Sequence, residues 1–220
     1  MSHSDIMAES GLRCFGAVSA SISHELKNAL AIINENAGLL EDLSRMAQNG
    51  RPLAPERLQV LAANVTRQVR RADALIKHMN QFAHSVDALV ACCDLEDVLS
   101  LAAALNSRMA AMKGGTLLLE PFAAPVRITA RPFWIQNLIW RCLNELLERP
   151  DAEKQLHLNA RKTPGAAVIT FSPVDNLLTT PHIPGVLNLL KAVQAVDFQN
   201  RELQIVLPED IFATRDTNSD

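Results

Sequence analysis

The sequence contains no tyrosine, and aromatic residues make up only 4% of its 220 positions, which leaves little surface for stacking against bases. Its formal net charge is −3, so no chain-wide basic field points to nucleic acid either. No apolar run approaches the roughly 18 residues that suggest a membrane span. The first ten residues are polar, with Asp5 and Glu9, and have no apolar signal core. The four cysteines, Cys14, Cys92, Cys93 and Cys142, show neither CxxC nor Cys/His ligand spacing. Adjacent Cys92 and Cys93 read as small apolar fillers at a segment junction. Together these absences predict a reduced cytoplasmic protein with no nucleic-acid or membrane partner.

What is present is ordinary globular chemistry, 48% hydrophobic and 20% charged, in a chain long enough for two small domains. From about Ser10 to Gln48, Phe15, Val18, Ile22, Leu26, Ala29, Ile33, Ala37, Leu40 and Leu43 recur at intervals of three and four. That spacing predicts one amphipathic helix, about 50 Å long at about 1.5 Å per residue. Asn49-Gly50-Arg51-Pro52 breaks it, with glycine as C-cap and proline barring continuation. A second stripe follows in Leu58, Leu61, Val65, Val69, Ala72, Ile76, Met79, Ala83 and Val86, and its outer face carries Arg67, Arg70, Arg71 and Lys77. Two such helices joined by a short loop make an antiparallel hairpin. Apolar along its whole length, it is expected to dimerise into a four-helix bundle.

Beyond Cys93 the texture becomes mixed. A helix is expected over 94–113, ended by Gly114-Gly115, then strands at 116–120 and 126–129 and an apolar helix from Pro132 to Glu148. A hairpin around Thr163-Pro164-Gly165 joins 155–161 to 166–171, a further helix is expected over 184–196, and a last strand over 202–207. The fold class is therefore a mainly α hairpin followed by a two-layer α+β domain. The expected boundaries are a tail at 1–10, the hairpin domain at 11–90, the α+β domain at 91–212 and a disordered tail at 213–220.

The chemistry concentrates at Ser23-His24-Glu25-Leu26-Lys27-Asn28. An unprotonated, exposed imidazole nitrogen can accept a phosphoryl group, and an unperturbed pKa of about 6.5 leaves most of it neutral near pH 7. Glu25 is placed to act as a base or to hold the ring tautomer. Asn28 lies one turn further along the same helix face. The remaining candidates carry less. His78, His84, His157 and His182 have no metal spacing and read as surface or rim residues, whereas Trp134, Trp140, Met79 and Phe82 read as core.

The run SISHELKNALAII resembles the H-box of sensor histidine kinases, departing from it at Ala29, where proline is common. The resemblance extends over about Gly11 to Asp87 and implies a helical hairpin that dimerises into a four-helix bundle. It implies that His24 is the phosphoacceptor, that Glu25 assists proton transfer, and that Asn28 orients water for dephosphorylating a partner response regulator.

In that family an ATP-binding domain follows, marked by an asparagine-bearing helix and two glycine-rich boxes. The helix WIQNLIWRCLNELLE resembles the first, with Asn144 the best match to the magnesium-binding asparagine and Asn137 a weaker one. The segment Val174-Asp175-Asn176-Leu177-Leu178 stands where D-x-G-x-G belongs; Asp175 is kept, but both glycines are gone. Such glycines let backbone N–H groups approach phosphate closely, and leucines there obstruct it. Of the second box only Gly185 remains, and about ten residues leave little room for a lid. Loss of cradle and lid together is disabling for phosphoryl transfer from ATP. No stably bound cofactor is therefore expected; Asn144 and Asp175 are vestigial candidates, and Mg2+ is expected from the partner response regulator.

The architecture resembles dimeric histidine phosphotransferases of phosphorelays, which pair such a bundle with a degenerate ATPase-like domain. The expected function is transfer of phosphoryl groups between His24 and response-regulator aspartates in a homodimer without ATP binding. Three alternatives stand beside it: a response-regulator phosphatase using Asn28, a non-catalytic dimeric scaffold, and an active histidine kinase with an atypical ATP site.

Overall fold

The structure is a computed structural model, and it describes residues 3–147, 155–174, 195–199 and 201–210. Helix α1 spans His3–Gln48 and α2 spans Pro55–His84, as the two apolar stripes predict. Their separation is made by backbone geometry. Gly50 sits at φ +81°, while the N–H of Arg51 donates to Met46 O over 3.1 Å and that of Gly50 to Ala47 O over 3.0 Å. This pair of bonds is a Schellman closure, which needs a left-handed residue and hence favours glycine. Pro55 then opens α2, with Glu56 in its first turn favourably placed at the positive end of the helix dipole.

Two compact units emerge, one of Ser19–Asn80 and one of Met1–Val18 with Gln81–Asp220. The open ends of the two long helices thus belong with the α/β part, which departs from the boundaries expected at residues 10 and 90. Helix α1 also begins at His3, so the tail expected at 1–10 is helical from that point. The reason is packing. Buried Ser10 donates from Oγ to Asn137 Oδ1 over 3.1 Å. A Cβ at Gly11 would come within 3.1 Å of the Phe133 ring, so the small residue lets the backbone approach. Phe82 stacks on Phe15 with centroids 5.5 Å apart and meets Phe133 at 5.8 Å.

Past α2 the chain forms β1 (Ala91–Asp94), α3 (Leu95–Met112), β2 (Thr116–Leu119), β3 (Arg127–Ala130) and α4 (Pro132–Leu147). Then come β4 (Gln155–Thr163), β5 (Ala166–Ser172), β6 (Ala195–Gln199) and β7 (Glu202–Pro208). The main sheet runs β2-β4-β5-β7-β6, with β2 parallel to β4 and the remaining pairs antiparallel. A separate antiparallel pair joins β1 to β3. Alternation on the central strands sends Leu156, Leu158, Ala167, Ile169, Leu203 and Ile205 to one face, where α3 and α4 bury Leu99, Leu138, Ile139 and Leu143. This is the mixed two-layer α/β arrangement the sequence leads one to expect.

Two strands escaped the sequence reading. Cys92 and Cys93 are not junction fillers but strand residues: Cys93 turns into the core and Cys92 outward, a period-2 pattern too short to register in four residues. Ala195 and Val196, expected to end a helix, open β6 and pair with Val206 and Ile205. The rest of that expected helix and the tail at 213–220 lie outside the described residues.

Candidate functional site

The helical period of α1 decides what each residue of SHELKN can do. His24 and Asn28, one turn apart, are both exposed, and among their neighbours Ile22 and Ala29 are buried. Glu25 follows His24 by about 100° of helical rotation, which turns it towards α2. Its residue is only 8% exposed, and Oε2 accepts from Arg71 Nη2 at 2.9 Å. The acidic residue expected to assist His24 is thus held by a cation on the opposite helix.

Further along the hairpin a second polar layer crosses it. Asn64 Nδ2 donates to Asn36 Oδ1 over 3.4 Å, Asn36 Nδ2 donates to Ile32 O over 2.7 Å, and Arg67 Nη2 donates to Asn64 Oδ1 over 2.7 Å. Buried Gln68 leaves its Oε1 without a partner among the described residues. Such layers fix the register of an apolar seam, because slippage would strand buried polar groups. Arg71 appeared in the sequence only as one of four basic residues on the face of α2. Its pairing depends on the register of the two helices, which the stripe alone does not set.

The apolar stripes are only partly covered within this hairpin. Val18, Ile22 and Ala29 are buried, whereas Leu30 is 60% exposed, Val69 52% and Ile76 48%. Phe15 and Leu40, which the stripe places facing inward, are also substantially exposed. Two helices can bury only a strip of each other, and these side chains lie outside that strip.

Residues 16–86 match the family of the His Kinase A (phospho-acceptor) domain. This hairpin is a histidine-kinase phospho-acceptor domain. The matched residues include the SHELKN run, whose exposed histidine is His24. No curated protein matches the chain. Among solved structures, the histidine kinase AdeS of Acinetobacter baumannii is similar over 84% of this chain and 98% of its own, at 12% identity and a TM-score of 0.41. The histidine kinase ThkA in complex with the response regulator protein TrrA is similar over 91% of this chain and 63% of its own, at 13% identity and 0.45. The catalytic domain of ThkA is similar over 55% of this chain and 97% of its own, at 8% identity and 0.44.

The candidates on α4 fare differently. Asn137 is buried and its Oδ1 accepts from Ser10, so that oxygen is engaged inside the protein. Asn144 is half-buried, and its Nδ2 has no partner among the described residues. An amide nitrogen is a donor and not a metal ligand, so this orphan does not by itself describe a cation site. Asp175 and the segment 184–190 lie outside the described residues. Among the described residues no group of three or more His, Cys, Asp and Glu could hold a metal ion. No helix among them is long and apolar enough to cross a membrane.

Proposed function

We propose that the protein is a histidine phosphotransferase of a two-component phosphorelay. The observation that carries this reading is the exposed ring of His24 on a phospho-acceptor hairpin. An unprotonated ring nitrogen attacks the phosphorus of a response-regulator aspartyl phosphate; the P–O bond to the aspartate breaks and that carboxylate leaves. Running the step backwards onto a second regulator returns the phosphoryl group to an aspartate. Mg2+ belongs to the regulator's acidic pocket. The chain's own residues supply the nucleophile and a solvent-facing helix surface on which a receiver domain can dock.

The working form is a homodimer. Leu30, Val69 and Ile76 lie exposed on the phospho-acceptor hairpin, and a second hairpin laid against them completes a four-helix bundle. The α/β part acts without ATP, since the sequence at 174–178 and 184–190 has lost glycines that a phosphate cradle requires. Exposed Asn28, one turn from His24, supports a second reading in which it orients a water that dephosphorylates the regulator.

Incubation with a phosphorylated receiver domain tests both readings. Label should move onto this chain and be absent in His24→Ala. Persistent label in that variant defeats the phosphotransferase reading. Release of phosphate that survives His24→Ala but not Asn28→Ala favours the second.

A further inference from the structure

We propose that Arg71 is a positioning residue of the acceptor site, neutralising Glu25 so that His24 can carry a phosphoryl dianion beside it. This deepens the reading of His24 as phosphoacceptor and rests on it. A phosphoryl group brings close to two negative charges to residue 24. Glu25 is the next residue, its side chain is only 11% exposed, and its carboxylate is held in the hairpin rather than free to swing into water. Left alone, that carboxylate would repel a group on the neighbouring residue from a partly desolvated setting.

Arg71 is the cation that meets it, through Nη2 to Oε2 at 2.9 Å. The guanidinium uses one N–H for Glu25, and the Arg71 side chain remains 49% exposed. Arg67, the neighbouring basic residue one turn away, is bonded to Asn64 instead. The inferred site therefore joins His24, Glu25 and Arg71, with the arginine acting through the carboxylate it pairs.

Phosphoramidate tests this on the full chain without a partner. The ring nitrogen of His24 forms a bond to phosphorus as the P–N bond of the reagent breaks and ammonia leaves. The label specific to His24 is the difference between the parent protein and His24→Ala, read by 31P NMR together with its decay after reagent is removed. Arg71→Gln should lower that label, or hasten its decay, by about five-fold at low salt, shrinking towards parity at about 1 M salt. Arg71→Lys should restore it to within about two-fold, because a charge and not a shape is needed. A merely structural arginine predicts that the loss in Arg71→Gln does not change with salt, and that outcome overturns the proposal. So does Arg71→Gln behaving as the parent. A parent protein with no label above His24→Ala overturns the acceptor reading itself, whereas a labelled parent with an indifferent Arg71 overturns only this inference.

Discussion

Replacing Phe82 by alanine should loosen the α/β unit more than any other single change in its aromatic cluster. The ring is 2% exposed and lies between two others, Phe15 at 5.5 Å with planes 24° apart and Phe133 at 5.8 Å with planes 49° apart. Both distances lie in the range where ring pairs add about 0.5–1.5 kcal/mol beyond area burial. Truncating a buried phenylalanine costs about 3–5 kcal/mol in lost transfer energy and residual cavity. With a urea slope of about 2 kcal/mol per molar, a loss of about 4 kcal/mol moves the midpoint down by about 2 M. Trp134 and Trp140, the chain's two tryptophans, both lie on α4, the helix that carries Phe133, so their fluorescence reports the transition. Phe15→Ala is the internal control. Its ring is 38% exposed, and its loss should cost about 1–2 kcal/mol. A Phe82→Ala midpoint within about 0.5 M of the parent, or above that of Phe15→Ala, refutes the reasoning.

Two more outcomes follow from burial. Burial pushes the thiols of Cys14 and Cys142 up to about 12 from the usual 9.0, and raises Cys93 as well, while Cys92 is exposed. At pH 8 a thiol reagent should therefore find one fast group, lost in Cys92→Ser, and all four only after unfolding. Because the folded-state values are raised, the stability linked to Cys14 and Cys142 is fully present below about pH 9 and is lost as pH climbs towards 12, which a pH series of urea midpoints would show. On the apolar face of the hairpin, Ile76→Glu places a charge at a position 48% exposed in the single chain, so the fold should stand. If that face meets a second copy, sedimentation should show the dimer weakened by at least ten-fold; an unchanged dimer would place the interface elsewhere.

The gap between sequence and structure is instructive at particular residues. The apolar intervals made both long helices and their break at Gly50 legible, because helical periodicity and C-cap chemistry are local. The same holds for α3, α4 and the β4–β5 hairpin. Four-residue β1 was not legible, since Ala91–Asp94 gains its strand character from pairing with β3, some 35 positions further on. Asn137 reads in the sequence as the weaker match to a magnesium-binding asparagine, and only the structure shows that its oxygen accepts from Ser10. Nothing in the order of residues says that 10 and 137 meet.

At the acceptor site the division is equally clear. Residue order alone set a nucleophile, a carboxylate beside it and an amide one turn on, because those relations are fixed by 3.6 residues per turn. Order also brought together the exposed faces of His24 and Asn28. Only the packing of α2 against α1 decided that Glu25 points into the hairpin and that Arg71, forty-six positions later, is its counter-charge. Rotation about one helix is a local property of the chain. Register between two helices is not, and the pairing of Glu25 with Arg71 depends on it.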